Sequence, residues 1–420
     1  MVRPGHFLLL CVTFLFCAVA RAGDWTVLRY DDRDYLSMRN VADFYGLTDY
    51  SRISNTLTIG APGRSLRGTV GSNELYINNL KFVLSYPLED IDGDPAVSRM
   101  DLTKVIEPVL RPSRIRDATI VDSVVLDPGH GGFDNGATSI WGCEKTFALD
   151  VALRTRPLLQ AQGLTVYMTR QSDVFIPLED RVRFANLHPT ALFIAIHFNS
   201  SSPEANGIET YTLAPRGVPS MAADGPMASD MYPCPGNVCD AENMALACAT
   251  HASLICHSQL YDRGIKRARF VVIRDITIPG VLVEGGFLSN PDDARLVATA
   301  EYRQEEAECI ALAVQNYRNA VNPPPTTALA GRDVVVRDDV DLHTPPPPVG
   351  EAPVEKPAAT PAPVNAPGPA PIVAANHPAA PKPVAPPVAT PRPAPAEETQ
   401  PDTEARNDAG SHSALMPIVD

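Results

Sequence analysis

Residues 122–137 read DSVVLDPGHGGFDNGA. Val124, Val125 and Leu126 are apolar on both alternating faces, as in a strand covered from both sides. The run stops at Asp127-Pro128, a turn signal, and His130 follows between Gly129 and Gly131, where the backbone must approach something closely. Two further runs share this character: LFIAI at 192–196 ends in His197, and GVLV at 280–283 ends in Glu284. Between and beyond them lie the β-rich stretches 164–170, 207–214 and 269–275, and helical patterns near 145–161, 178–187, 241–260 and 291–320. This alternation predicts an α/β domain over 120–320, a twisted, largely parallel sheet covered by helices on both faces.

Outward from this domain the composition changes. Residues 23–116 contain WTVLRYDDRDYLSMRNVADFYGL (25–47) and short apolar runs broken by Gly, Asn and Pro, which predicts a small α+β domain without a metal-ligand cluster. Residues 1–22 carry Arg3, an apolar run from Phe7 to Val19, and Ala20 and Ala22 around Arg21, the pattern of a signal peptide cleaved after Ala22. Many of the 42 prolines fall after Asn322, where few large apolar side chains remain, so 322–420 is expected to be a disordered Pro/Ala-rich tail. No later stretch is long and apolar enough to span a bilayer, which places the expected mature protein in the periplasm or cell envelope. A formal charge of -14 argues against a nucleic-acid partner, because phosphate binding calls for a basic face. A monomer is the default.

The three buried runs should bring their polar ends together, since the carboxyl ends of strands form the ligand crevice of an open α/β sheet. Glu144, at the end of the glycine-rich loop and the start of the following helix, joins them. His130, Glu144 and His197 are two imidazoles and one carboxylate, the donor set of a catalytic Zn2+ that keeps a position open for water. Taken singly, each has a plainer reading: a hydrogen-bonded histidine at a strand end, or a glutamate favoured by a helix N-terminus. Glu284 is harder to explain so, because an unpaired carboxylate at the end of a buried strand costs several kcal/mol. Its expected role is to move a proton from the attacking water to the leaving amide nitrogen.

These blocks, VVLDPGHGGFDNGA, the following Glu144, LEDRVRFANLHPTALF, LFIAIHFNSS and VLVEGGFLSNPDDA, resemble in order the motifs of zinc-dependent N-acetylmuramoyl-L-alanine amidases, over roughly 120–317. The resemblance implies His130, Glu144 and His197 as zinc ligands and Glu284 as the catalytic acid/base. It also implies peptidoglycan as partner, cut at the amide between the lactyl group of N-acetylmuramic acid and L-alanine, in wall remodelling or daughter-cell separation. The arrangement of 23–116 is similar to the small domain found at the start of copper amine oxidases and on some bacterial envelope proteins, which implies binding or spacing.

Two features lie outside the matched motifs, and the first departs from the family pattern. Residues 214–243 form an insert after the second-histidine region. Some members carry an inhibitory helix near this point that an activator relieves, but this insert is rich in Pro and Gly, so a loop shaping the substrate groove is expected, pinned by a Cys234–Cys239 disulfide. No activator can be named. The segment DRGIKRARF (262–270) precedes the expected strand at 269–275. Such a run is usually a solvated face, yet Arg263, Lys266 and Arg269, with Asn199, are candidates to position the carboxylates of a peptide stem. Two other functions share these features: a zinc peptidase, separable by product analysis, and a non-catalytic wall-binding protein, which would be expected to lose one of the four site residues.

Overall fold

The computed structural model describes residues 25–323 except Asp224 and Gln259, and these fall within a single contact-defined unit. The expected signal segment, and the Pro-rich tail beyond its first two residues, lie outside the described residues.

The three apolar runs form adjacent parallel strands. They are β10 (Ser123–Pro128), β14 (Ala191–Asn199) and β17 (Gly280–Phe287), with β13 (Thr165–Met168) outside β10. Their side chains split by parity, as a pleated strand requires. Val124, Leu126, Ile194, Ile196, Val281 and Val283 enter a core with α4 (Glu144–Ala161), α6 (Asp240–His257) and α9 (Ala300–Val321). Val125, Phe193, Ala195 and Leu282 face the shorter α5 (Leu178–Asn186) and α7 (Val271–Arg274). A further helix, α8 (Pro291–Val297), is capped by the Asn290 side chain, which accepts from the Asp292 and Asp293 amides. Helices thus cover both faces of a twisted α/β sheet.

Within residues 123–287 the main sheet departs from parallel at one joint, and that joint positions the rest. Strand β15 (Ile208–Leu213) runs antiparallel to β17, with Glu209 opposite Glu284 and Tyr211 opposite Leu282. Strand β16 (Asp262–Ala268) then lies parallel to β15. The start of β15 is therefore at the carboxyl end of β17, and its end at the amino end. The strand expected at 269–275 is a correction: the basic run 262–268 is itself the strand, and 271–274 is a helical turn whose Val272 and Ile273 enter the second core.

Residues 25–110 add β1 (Val27–Tyr30), β2 (Arg33–Ser37), β3 (Asp49–Ile53), β4 (Thr56–Ala61), β5 (Arg64–Thr69), β6 (Glu74–Ile77), β7 (Leu80–Val83), β8 (Glu89–Ile91) and β9 (Asp94–Ser98), with helices α1 (Met38–Tyr45), α2 (Arg99–Asp101) and α3 (Glu107–Leu110). Strands β3 to β7 form an antiparallel meander whose last strand pairs with β16 through Phe82 and Ile265, making one eleven-stranded sheet across both regions. Among the described residues no helix is long and apolar enough to cross a membrane.

Candidate active site

His130 follows β10 in a left-handed backbone conformation, φ 59°, which a non-glycine residue adopts only when its surroundings hold it there. Here the holding group is Arg181 of α5, whose guanidinium donates to the His130 carbonyl at 2.7 Å and the Pro128 carbonyl at 2.8 Å and pairs with buried Asp127 at 2.6 Å. Arg170 adds bonds to the Pro128 and Gly129 carbonyls at 2.9 and 2.7 Å. Gly129 itself passes against the His197 ring, where a Cβ would come within 2.2 Å of Cε1. This is the close approach expected from the sequence.

The three expected ligands meet. His130 Nε2 lies 3.0 Å from Glu144 Oε2, His197 Nδ1 lies 2.8 Å from Glu144 Oε1, and one donor atom from each falls within 4.8 Å of the others. Glu144, the first residue of α4, is buried, and its oxygens also accept from the amides of Ala137 (2.8 Å) and Phe198 (3.1 Å). Burial alone would raise its pKa, but the two imidazoles outweigh it and hold the carboxyl well below the usual range. Burial disfavours a charged His130, yet the carboxylates of Glu144 and Asp134 win and raise its pKa. Asp134 lies 2.8 Å from His130 Nδ1, which orients the ring with Nε2 toward Glu144.

Glu284 stands beside this trio. It is directly opposite His197 on one side and Glu209 on the other, so the three side chains share one face of the sheet. Its Oε2 is sealed from solvent without a hydrogen-bond partner among the described residues. Burial first, and then the negative charges of Glu144, Glu209 and Glu306, push its pKa well above the ordinary carboxylate value, with Lys266 opposing. Two imidazoles, one held-down carboxylate and an adjacent orphaned carboxyl fit a divalent metal with a proton-moving group next to it.

The other expected residues divide by the antiparallel joint. Arg263 Nε donates to Glu209 Oε1 at 2.6 Å, Lys266 Nζ reaches the same oxygen, and Asn199 Nδ2 donates to Glu209 Oε2 at 3.1 Å, so these three gather beside Glu284. Arg269 does not. Beyond the far end of β16, it is buried against Asp230 at 2.9 Å and donates to the carbonyls of Ala214, Pro215 and Val218, holding the insert together. Because β15 runs away from the site, the insert after Leu213 starts at the opposite end of the strands. A groove-shaping role is a further correction. The expected disulfide is not made: both thiols are free, Cys239 Sγ directed to the Thr277 carbonyl at 3.6 Å and Cys234 Sγ accepting from Arg269 at 3.4 Å. Asp134, Arg170, Arg181 and Glu209 were missed, although Asp134 and Arg181 lie within the quoted motifs. Their partners are set by folding, and only the short spacing of Asp134 from His130 offered a signal.

Residues 124–316 match the family described as N-acetylmuramoyl-L-alanine amidase. Amidase AmiA of Escherichia coli (strain K12) is 35% identical over 217 residues, covering 46% of this chain and 75% of that one. Amidase AmiC of Neisseria meningitidis serogroup B is 34% identical over 220 residues, covering 47% of this chain and 52% of that one. Among solved structures, the catalytic domain of CwlV, an N-acetylmuramoyl-L-alanine amidase from Bacillus (Paenibacillus) polymyxa var. colistinus, aligns with 32% identity and TM-score 0.40, over 48% of this chain and 99% of that one. With the matched span running from the first buried strand to the last helix and enclosing every residue of the trio and Glu284, the chain belongs to the N-acetylmuramoyl-L-alanine amidase family.

Proposed function

We propose that the protein is a zinc-dependent amidase of the cell envelope that hydrolyses the amide between the lactyl group of N-acetylmuramic acid and L-alanine in peptidoglycan. The observation that carries the reading is the convergence of His130, Glu144 and His197 beside the unpartnered Glu284 carboxyl. The three would hold Zn2+, which when bound supplies Lewis-acid polarisation of the scissile carbonyl and of an attacking water. The chain's own residues do the rest. Glu284 accepts a proton from the water and delivers it to the leaving amide nitrogen, acting as base and then acid. Glu144 stays ionised between the imidazoles, and Asp134 fixes the ring of His130. Arg263 and Lys266, part-exposed on Glu209, offer positive charge to carboxylates of the stem on the leaving side. Residues 23–116 would serve wall attachment, the Pro-rich segment would serve as a spacer, and export would follow from residues 1–22.

The test is release of stem peptide from purified peptidoglycan, with metal content measured on the same samples. Glu284→Ala should keep its metal and lose turnover, whereas His197→Ala should lose both. Wall binding without metal uptake or product, even with zinc added, would favour the non-catalytic alternative.

A further inference from the structure

The direction in which the substrate lies across the strand ends follows from where Glu284 stands, given the amidase reading above, on which this inference rests. The nitrogen that leaves takes its proton from Glu284 on β17, so the peptide attached to it departs over β15 and β16, where Asn199, Arg263 and Lys266 gather. The acyl half must extend the other way, past β14 toward β10 and the loops that follow β10 and β13. On that side the described cations are tied into the fold, Arg170 and Arg181 buried on backbone carbonyls and Lys145 paired with Asp173, and the side offers no open charge like that around Glu209. It carries two adjoining aromatic rings in the open: Phe133 is 82% exposed and Phe175 39% exposed, with ring centroids 4.3 Å apart and planes tilted by 32°.

An exposed apolar side chain alone is ordinary. This pair differs because the loops beneath it are tightly joined. Gly131 takes a φ of 128° and lies so near Val174 that a Cβ would come within 2.2 Å of its carbonyl oxygen. The Gly132 amide donates to Asp173 at 2.7 Å, and Lys145 bridges the Gly132 carbonyl at 2.6 Å and the Asp173 carboxylate at 3.0 Å. Arg170, which bonds the Pro128 and Gly129 carbonyls, also donates to the Ser172 carbonyl at 3.2 Å, so one side chain ties the turn before His130 to the loop that carries Phe175. Three residues of chain keep the Phe133 Cα within about 11 Å of that of His130, the reach of one sugar ring and its lactyl arm.

We propose that Phe133 and Phe175 form the subsite for the glycan strand, the apolar face of a sugar ring lying against the phenyl surface. The C–H groups of a hexose face are the positively polarised partners that the negative face of an aromatic ring attracts. Lys145, which holds the Gly132 carbonyl, is already neutralised by Asp173, which suits an uncharged sugar and not a stem carboxylate. The substrate then has a fixed polarity, sugar over β10 and stem over β15 and β16.

The experiment uses the full chain with Glu284→Ala to prevent turnover. It is titrated separately with stem-free oligosaccharides of alternating N-acetylglucosamine and N-acetylmuramic acid, and with free stem peptide. Adding Phe133→Leu and Phe175→Leu together should weaken oligosaccharide binding by about tenfold or more and leave stem-peptide binding unchanged, and Tyr at both positions should restore it. With Glu284 in place, the double Leu variant should show a raised KM on sugar-bearing muropeptides at near-normal kcat. Oligosaccharide that binds the double Leu variant as well as its parent, or that fails to bind the parent at all, overturns the proposal. Failure of the amidase reading would appear separately, as no stem release by the unsubstituted chain.

Discussion

At His130 the backbone, the ring and the charge are each set by a different residue: Arg181 by its bond to the carbonyl, Asp134 at Nδ1, and Glu144 at Nε2. Asp134→Ala should therefore lower metal affinity by about 10–100-fold while leaving all three donors in place, measured by competition with a chelator of known affinity. Glu306 of α9 makes a different kind of prediction. Both of its oxygens are buried without partners among the described residues, and burial pushes its pKa well above its ordinary value of 4.5, against the opposing charge of Arg303. The folded state holds this proton more tightly than the unfolded one. Its contribution to stability is thus fully present below about pH 4.5, the ordinary value, and is lost as pH rises through the folded pKa. Glu306→Gln should melt higher than the unsubstituted protein at pH 7.5, with the gap closing near pH 4, as read by scanning calorimetry. At this scale the sequence was legible where a polar residue ended an apolar run, as at His197 and Glu284. It was silent on Arg181 and Glu209, whose partners lie about fifty residues away.

Among elements, the reversal at β15 decides which charges serve chemistry and which serve folding. Arg263→Ala should raise KM, because Arg263 lies beside Glu209 at the site end of β16. Arg269→Ala should leave KM alone and destabilise by about 3–5 kcal/mol, since it strips the buried Asp230 of its partner. Kinetics and denaturant titration on the pair would show both effects, and a raised KM for Arg269→Ala would contradict this division. Strands β10, β14 and β17 were readable because apolar runs on both faces leave few alternatives. The strand at 262–268 was not, because a run of charges suggests solvent until its partners are known: Arg267 is buried against Asp101 at 3.1 Å and the Val83 carbonyl at 2.9 Å, both far away in sequence. The reversed direction of β15 and β16 is likewise invisible to periodicity, which reports faces and not directions.

Across the whole molecule, strands β3 to β7 of residues 25–110 join the sheet that carries His197 and Glu284, and the join is polar as well as apolar. The Lys81 amide donates to Asp262 at 3.1 Å, Lys104 pairs with Asp240 at 2.7 Å, and Arg267 reaches Asp101. A chain lacking residues 25–116 would expose the edge of β16 and leave Arg267 buried without its acid. We expect it to unfold at a lower temperature than the full chain and to aggregate through that edge, checked by calorimetry and light scattering. Composition marked a change near residue 117, but nothing in either stretch announced that the two would pair.

The reversed strand also bears on how such a chain can change over generations. Sequence added at the corner after Leu213 grows out at the end remote from the chemistry, fastened there by Arg269. Lengthening, shortening or recombination at that corner can then be explored without disturbing the trio, which makes it the natural place for descendants of this enzyme to acquire new surfaces.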